Sequence, residues 1–253
     1  MIRAGLVSVT FRKLTPREVV SWAARAGLAG VEWGGDIHVP HGRTETAQQV
    51  AAMTRDAGLT VSSYGSYYRL GHEPEQFAQV LETAIALGAP IIRVWPGRVA
   101  SGKADSAYRA QVAEDGRRVA QMADRSGIRI ACEWHGNTLT DTAESARSLF
   151  DAVEHAAFGT YWQPHGHMSV QDCLLDMEAA LPRLVGLHVA HCDSQTGPRL
   201  DLSSGRSVWK SYLAKAKEAG DLFALLEFVR DDDPAQMVED AAALREWLDE
   251  VGD

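Results

Sequence analysis

Short runs with strand character alternate with longer helical patterns from one end of this 253-residue chain to the other, and a chain built this way has few ways to fold. The strand-like runs fall at 4–9, 30–33, 60–64, 91–95, 128–133, 160–163, 184–189 and 223–228. Between them stand helix start signals. Thr15-Pro16-Arg17-Glu18 joins a capping box to a proline at the first helical position, and Asp233-Pro234 repeats the cap-then-proline order. Stop signals match: Ala26-Gly27, Ala57-Gly58, Leu87-Gly88, Ser126-Gly127 and Ala219-Gly220 each put glycine where a left-handed helix cap needs it, just ahead of a strand.

Repeated βα units require parallel strands and right-handed crossovers, so eight of them either close into a barrel or form an open doubly wound sheet. An open nucleotide-binding sheet carries a GxGxxG or GxxxxGK[ST] turn after an early strand, and this chain has neither. The expected fold is α/β, a single (β/α)8 TIM barrel over residues 1–253, since no linker, low-complexity tract or charge block divides the chain.

The net charge of −9 disfavours a surface that wraps phosphate backbones, so no nucleic-acid partner is expected. The first thirteen residues lack an apolar stretch of signal-peptide length, and no window approaches the ~18 apolar residues of a membrane span. The expectation is a cytoplasmic protein with no membrane partner. Cys132, Cys173 and Cys192 are odd in number and lack CxxC spacing, which argues for reduced thiols over a disulfide framework or thiolate metal site.

In a (β/α)8 barrel the chemistry sits at the C-terminal ends of the strands. Four consecutive candidate strands carry polar residues there: Cys132-Glu133-Trp134-His135, Tyr161-Trp162-Gln163-Pro164-His165-Gly166-His167, His188 and Leu226-Glu227-Phe228. Alternation puts Glu133 on the face opposite Ile128, Ile130 and Cys132, and His188 opposite Leu187 and Val189, so both are expected to point into the barrel. Two carboxylates, an imidazole and an amide oxygen suit a hard or borderline divalent cation such as Mn2+, Mg2+, Co2+ or Zn2+.

In this order and spacing, Gly30-Val31-Glu32-Trp33, Arg93-Val94-Trp95-Pro96-Gly97, Glu133-Trp134-His135, His188 and Leu226-Glu227-Phe228 resemble the xylose isomerase-like barrels, over almost the whole chain. That family includes sugar and sugar-phosphate isomerases, ketose 3-epimerases and inosose dehydratases. The resemblance implies a metal, Mn2+ first among the candidates, held by Glu133, Gln163, His188 and Glu227. Gln163-Pro164-His165-Gly166 departs from the family's Asp-x-x-His, with His165 or His167 as the displaced histidine. An amide there brings the formal charge of metal plus ligands from minus one to zero, which weakens metal binding and makes the cation a stronger Lewis acid.

The implied chemistry is proton abstraction next to the carbonyl of a sugar, keto-sugar or cyclitol, through an enediolate, with Glu133 and Glu227 as the acid–base pair of an isomerase or epimerase. His135 falls at a position that binds substrate oxygen in the family. Trp95 would wall the substrate, with Trp33, Tyr64, Tyr67 and Trp162 as further candidates and Trp209 and Tyr212 read as core. His165, His167 and Arg199 are further substrate-binding candidates, Arg199 as the anion or hydroxyl binder of the loop after the seventh strand. The acidic Arg230-Asp231-Asp232-Asp233 after the eighth leans towards an unphosphorylated substrate. Two alternatives stand beside this reading: a lyase or dehydratase that expels a β-substituent from the same enolate, with His165 or His167 as acid, and a metal-free binding or partner barrel suggested by Gln163. The apurinic endonucleases of the superfamily need more ligands where this chain has Ser63-Tyr64-Gly65 and Trp95-Pro96. Relatives also make a homo-oligomer an expectation.

Overall fold

The computed structural model describes residues 1–166, 168–193 and 197–252. Eight strands form one closed barrel in sequence order: β1 (Ile2–Val7), β2 (Gly30–Gly34), β3 (Thr60–Arg69), β4 (Ile91–Trp95), β5 (Arg129–Glu133), β6 (Phe158–Trp162), β7 (Leu184–Val189) and β8 (Leu222–Leu226). All pairings are parallel, and β1 closes the ring on β8 from Ile2↔Leu222 to Leu6↔Leu226. After them come α1 (Pro16–Arg25), α2 (Thr44–Asp56), α3 (Phe77–Leu87), α4 (Ser106–Asp124), α5 (Ala143–Val153), α6 (Val170–Ala180), α7 (Arg206–Ala216) and α8 (Pro234–Gly252), one behind each strand. This is the (β/α)8 barrel that the alternation predicts.

The local signals act as their chemistry requires. Thr15 and Glu18 close a reciprocal capping box over Pro16, and Gly88 ends α3 in the left-handed conformation at φ 70°. Three strands end two or more residues away from where the sequence reading puts them. β1 stops at Val7 and turns into a short 3-10 segment, Ser8–Phe11, while β8 stops at Leu226 and leaves Glu227 just beyond it. β3 runs on to Arg69, past an irregularity, to pair Arg69 with Trp95. Its far half was not legible because Gly65-Ser66 breaks the apolar rhythm and Arg69 puts a charge at the end.

Packing divides into two layers. Between strands and helices lie the large buried side chains, among them Trp33, Trp134, Trp162, Trp209 and Trp247. Trp33 donates to Thr54 Oγ1 at 3.2 Å, Tyr64 to the Val39 carbonyl at 2.7 Å, and Trp162 stands edge-on to Tyr212. Strand alternation thus turns Trp33, Tyr64 and Trp162 outward, away from a substrate at the mouth, and Trp209 and Tyr212 are core as expected. Inside the barrel a smaller cluster holds Val7, Val9, Ala131, Tyr161 and Leu225.

Above that cluster the interior turns from apolar to charged, and one glycine makes the change fit. A Cβ on Gly65 would stand 2.7 Å from both Arg93 Nη2 and Glu32 Oε1, two fully buried atoms held by their own ion pair. Gly65→Ala should therefore destabilise the protein by roughly 1–3 kcal/mol, the usual cost of overpacking. Chemical denaturation checks this, and an unchanged midpoint would mean the pair has room to retreat.

Candidate active site

Glu133 ends β5, His188 lies in β7 and Glu227 follows β8, so the closed ring brings to one point three residues far apart in sequence. One donor atom from each lies within 4.8 Å of the others, and all three side chains are buried. His188 Nδ1 is 3.3 Å from Glu227 Oε2 and 3.9 Å from Glu133 Oε1. Gln163, just past β6, donates from Nε2 to Glu133 Oε1 at 3.3 Å, and turning its amide over would present the oxygen instead.

Two further charged residues sit below these, and the sequence reading did not place them in the site. Arg93, in the middle of β4, donates from Nε to Glu32 Oε1 at 2.8 Å and from Nη1 to Glu133 Oε2. Glu32, from β2, also accepts from Ser63 Oγ at 2.7 Å, and its Oε2 is 3.7 Å from His188 Nε2. A signal was present: each interrupts an apolar strand, as in Ile91-Ile92-Arg93-Val94, and a charge mid-strand in a closed barrel must face the interior.

Burial makes these charges interdependent. Desolvation alone would raise the Glu32 carboxyl, but Arg93, His188 and Ser63 hold it down at about 2. Desolvation would likewise strip the proton from His188, yet Glu227 and Glu32 raise its pKa to about 10. Glu227 is lowered despite its burial because His188 and Arg93 stabilise its charge. With neutral His188 the cluster of Glu32, Glu133, Glu227 and Arg93 carries a formal charge of −2, so it must take up either a proton or a cation.

The donor set fits a divalent metal ion. Glu133, His188 and Glu227 supply hard and borderline donors, and neither ring nitrogen of the buried His188 makes a well-formed hydrogen bond among the described residues. These three residues would hold the ion, with a small movement of the side chains towards one another.

The other candidates lie at the mouth in different relations to this cluster. His135 packs against Trp95 with ring centroids 4.4 Å apart, and Tyr67 stacks near Trp95 at 6.3 Å. His135, Gln163, His165 and His188 line a cavity of about 330 Å3 that extends to Trp209 and Tyr212. His165 is buried there. Arg199 pairs with Asp232 and lies over the Phe228 ring at 4.6 Å, so its charge is already met and it is not among the described lining of that cavity. His167 lies outside the described residues.

Tyr67 and Phe228 flank the site in left-handed backbone, both at φ 58°, a conformation costly for residues with a Cβ. Each holds an aromatic ring beside an arginine, Tyr67 against Arg93 and Phe228 under Arg199. Strain of this kind gathers where a chain must aim a side chain rather than relax it.

The chain belongs to the xylose isomerase-like TIM barrel family, whose profile matches residues 20–250. No curated protein matches it in sequence. Among solved structures it is similar to the probable 3-DHS dehydratase AsbF involved in petrobactin synthesis from Bacillus anthracis, at 18% identity and TM-score 0.81 over 96% of this chain and 99% of that one. It is also similar to the 3-keto-D-glucoside 4-epimerase YcjR from E. coli, at 16% identity and TM-score 0.72 over 99% of this chain and 100% of that one. A third is a xylose isomerase-like TIM barrel protein from Mycobacterium smegmatis in complex with magnesium, at 16% identity and TM-score 0.73 over 99% of this chain and 98% of that one. At these identities the likeness shows the fold. Among the described residues no helix is long and apolar enough to cross a membrane.

Proposed function

We propose that this chain is a divalent-metal-dependent isomerase or epimerase that moves a proton next to the carbonyl of a sugar, keto-sugar or cyclitol. The observation that carries the reading is the pair of buried carboxylates, Glu133 and Glu227, brought from strands three apart to either side of His188. Structural stability alone gives no reason to gather three carboxylates around one arginine and one imidazole.

Glu133, His188 and Glu227 would hold the cation, with the Gln163 amide in reach of the same point. When bound, the ion supplies Lewis acidity towards the substrate's carbonyl oxygen. The residues then divide the labour. Glu133 has one oxygen tied to Arg93 and the other to Gln163, whereas among the described residues Glu227 has direct contact with His188 at a single oxygen, which leaves Glu227 the freer oxygen to take the proton. Glu133, on the other side of the site, exchanges a proton with the opposite face, as epimerisation requires. Trp95 and His135 close the mouth beside it and limit water.

A lyase is the second reading, supported by His165 and His135 on the wall of the 330 Å3 cavity, where an acid could protonate a departing hydroxyl. One experiment addresses both: incubation with a panel of ketoses and keto-cyclitols in D2O with Mn2+. Deuterium at the carbon beside the carbonyl, lost on chelation, is the expected result, and an unsaturated product would identify the lyase. Absence of exchange across the panel, with metal bound, would overturn the proton-transfer reading.

Metal binding itself should depend on pH. Because His188 holds a proton up to about pH 10 before the cation arrives, binding should release one proton near neutrality. Affinity should then rise about tenfold per pH unit between pH 6 and 8. Calorimetry of Mn2+ binding in buffers of different ionisation enthalpy measures the release, and His188→Ala should lose both the proton and most of the affinity. Full metal occupancy in that variant would place the ion elsewhere.

A further inference from the structure

The opposite half of the barrel mouth carries a second polar site that the reaction scheme above leaves unused. Arg69 ends β3, and Arg98 and His72 follow β4 and β3, so all three emerge on the catalytic face of the barrel. With Tyr67, Ser66 and His41 they line a cavity of about 140 Å3. Tyr67 joins the two regions: it lines this cavity while its ring centroid lies 5.2 Å from the Arg93 guanidinium.

The positive charges here are not paired by direct contact. Arg69 lies over Trp95 at 4.1 Å, and neither its guanidinium nor that of Arg98 has a hydrogen-bond acceptor or a carboxylate partner among the described residues. Two acids also line the cavity: Asp36 is neutralised by Arg12, while Glu73 accepts from the neutral Gln76 amide and keeps its charge, so the lining with both arginines remains net positive. Partial burial and the neighbouring Arg98 work against the charge on Arg69 and lower its pKa, against a smaller favourable pull from Glu133. Two guanidiniums at one small cavity, each with five donors and no acceptor, in a chain of net charge −9, form a surface suited to an incoming anion.

We propose that Arg69 and Arg98 form an oxyanion subsite, so that the substrate carries a carboxylate or phosphate that reaches over Tyr67 while its carbonyl lies at Glu133, His188 and Glu227. The inference rests on the proposed proton-transfer reading for the position of the carbonyl, and on Arg69 and Arg98 alone for the anion. It assigns the anion to the β3–β4 side of the mouth, because Arg199 on the far side is already neutralised by Asp232.

The test uses inorganic phosphate and acetate as probes, titrated calorimetrically into the metal-free protein at low ionic strength, so that its outcome is independent of turnover. One or both should bind, and Arg69→Met/Arg98→Met should weaken that binding by about tenfold or more, the scale of a lost charge-assisted contact. Acetate alone would identify a carboxylate substrate, and phosphate alone a phosphorylated one. The melting temperature of the double variant should stay level or rise, since like charges have been removed; a purely structural Arg69 stacked on Trp95 would lower it. Should the double variant not fold, Arg98→Met, at an exposed position, should still weaken binding several-fold. No binding of either probe at 50 mM, or equal binding in the variants, would overturn the subsite while leaving the deuterium-exchange reading intact.

Discussion

Glu227→Gln should lower kcat by about a thousandfold, within the range general acid–base groups contribute, while leaving the folded state as stable as the parent to within about 1 kcal/mol. The two halves have one origin. Removing the Glu227 charge loses the attraction to His188 and Arg93 that holds its carboxyl low, but relief of desolvation and of repulsion from Glu32 offsets most of that loss. The amide keeps the shape and keeps a donor atom, but it cannot take a proton from carbon. Solvent-deuterium exchange and urea denaturation on the same preparation check the two parts. Exchange at the parent rate would remove Glu227 from the proton path. A large loss of stability would show that its charge serves the fold.

Arg93→Met should do the reverse and lose stability first. Among the described residues the guanidinium is the one fixed cation between Glu32 and Glu133, and removing one partner of a buried pair costs about 3–5 kcal/mol, because uncompensated carboxylates remain in the interior. The pH dependence identifies the cause. In the parent, the Glu32 carboxyl is held at about 2 against an ordinary value of 4.5. Its stabilisation is therefore complete above pH 4.5 and disappears as pH falls towards 2. In the variant Glu32 loses this support, so the gap between parent and variant should narrow steadily over that acid window. Glu32→Gln added to Arg93→Met should recover part of the loss at pH 7. A gap that does not change with pH would mean that Arg93 stabilises through packing alone.

Much of the site was legible because a barrel of this kind has a fixed grammar. Once eight βα units are recognised, alternation decides which residues of a strand face inward, and this points Glu133 and His188 into the barrel. Glu227 stands out by its position after an apolar run. Glu32 and Arg93 stand in the motifs that carry the family resemblance, but not at strand ends, where the chemistry of such a barrel is expected. Their chemistry lies in mid-strand, where a charge is tolerable only if a partner reaches it across the barrel. That partnership joins residues 61 positions apart and leaves no local trace.

Arg199 and Arg69 show the other limit. Both are arginines at the mouth, and nothing in their neighbours along the chain distinguishes them. Asp232, 33 residues away, neutralises the first, while no acid among the described residues pairs with the second.

The order of elements was determined by the sequence itself, since periodicity, helix caps and left-handed glycines are local properties written into consecutive residues, and eight repeats of one unit leave few closures. The tertiary structure decided which charges meet. Ring closure sets β2, β4, β5, β7 and β8 around one axis at one height, and whether a buried charge is paired, shared or left waiting depends on distances of a few ångströms across that axis, a quantity no stretch of sequence contains.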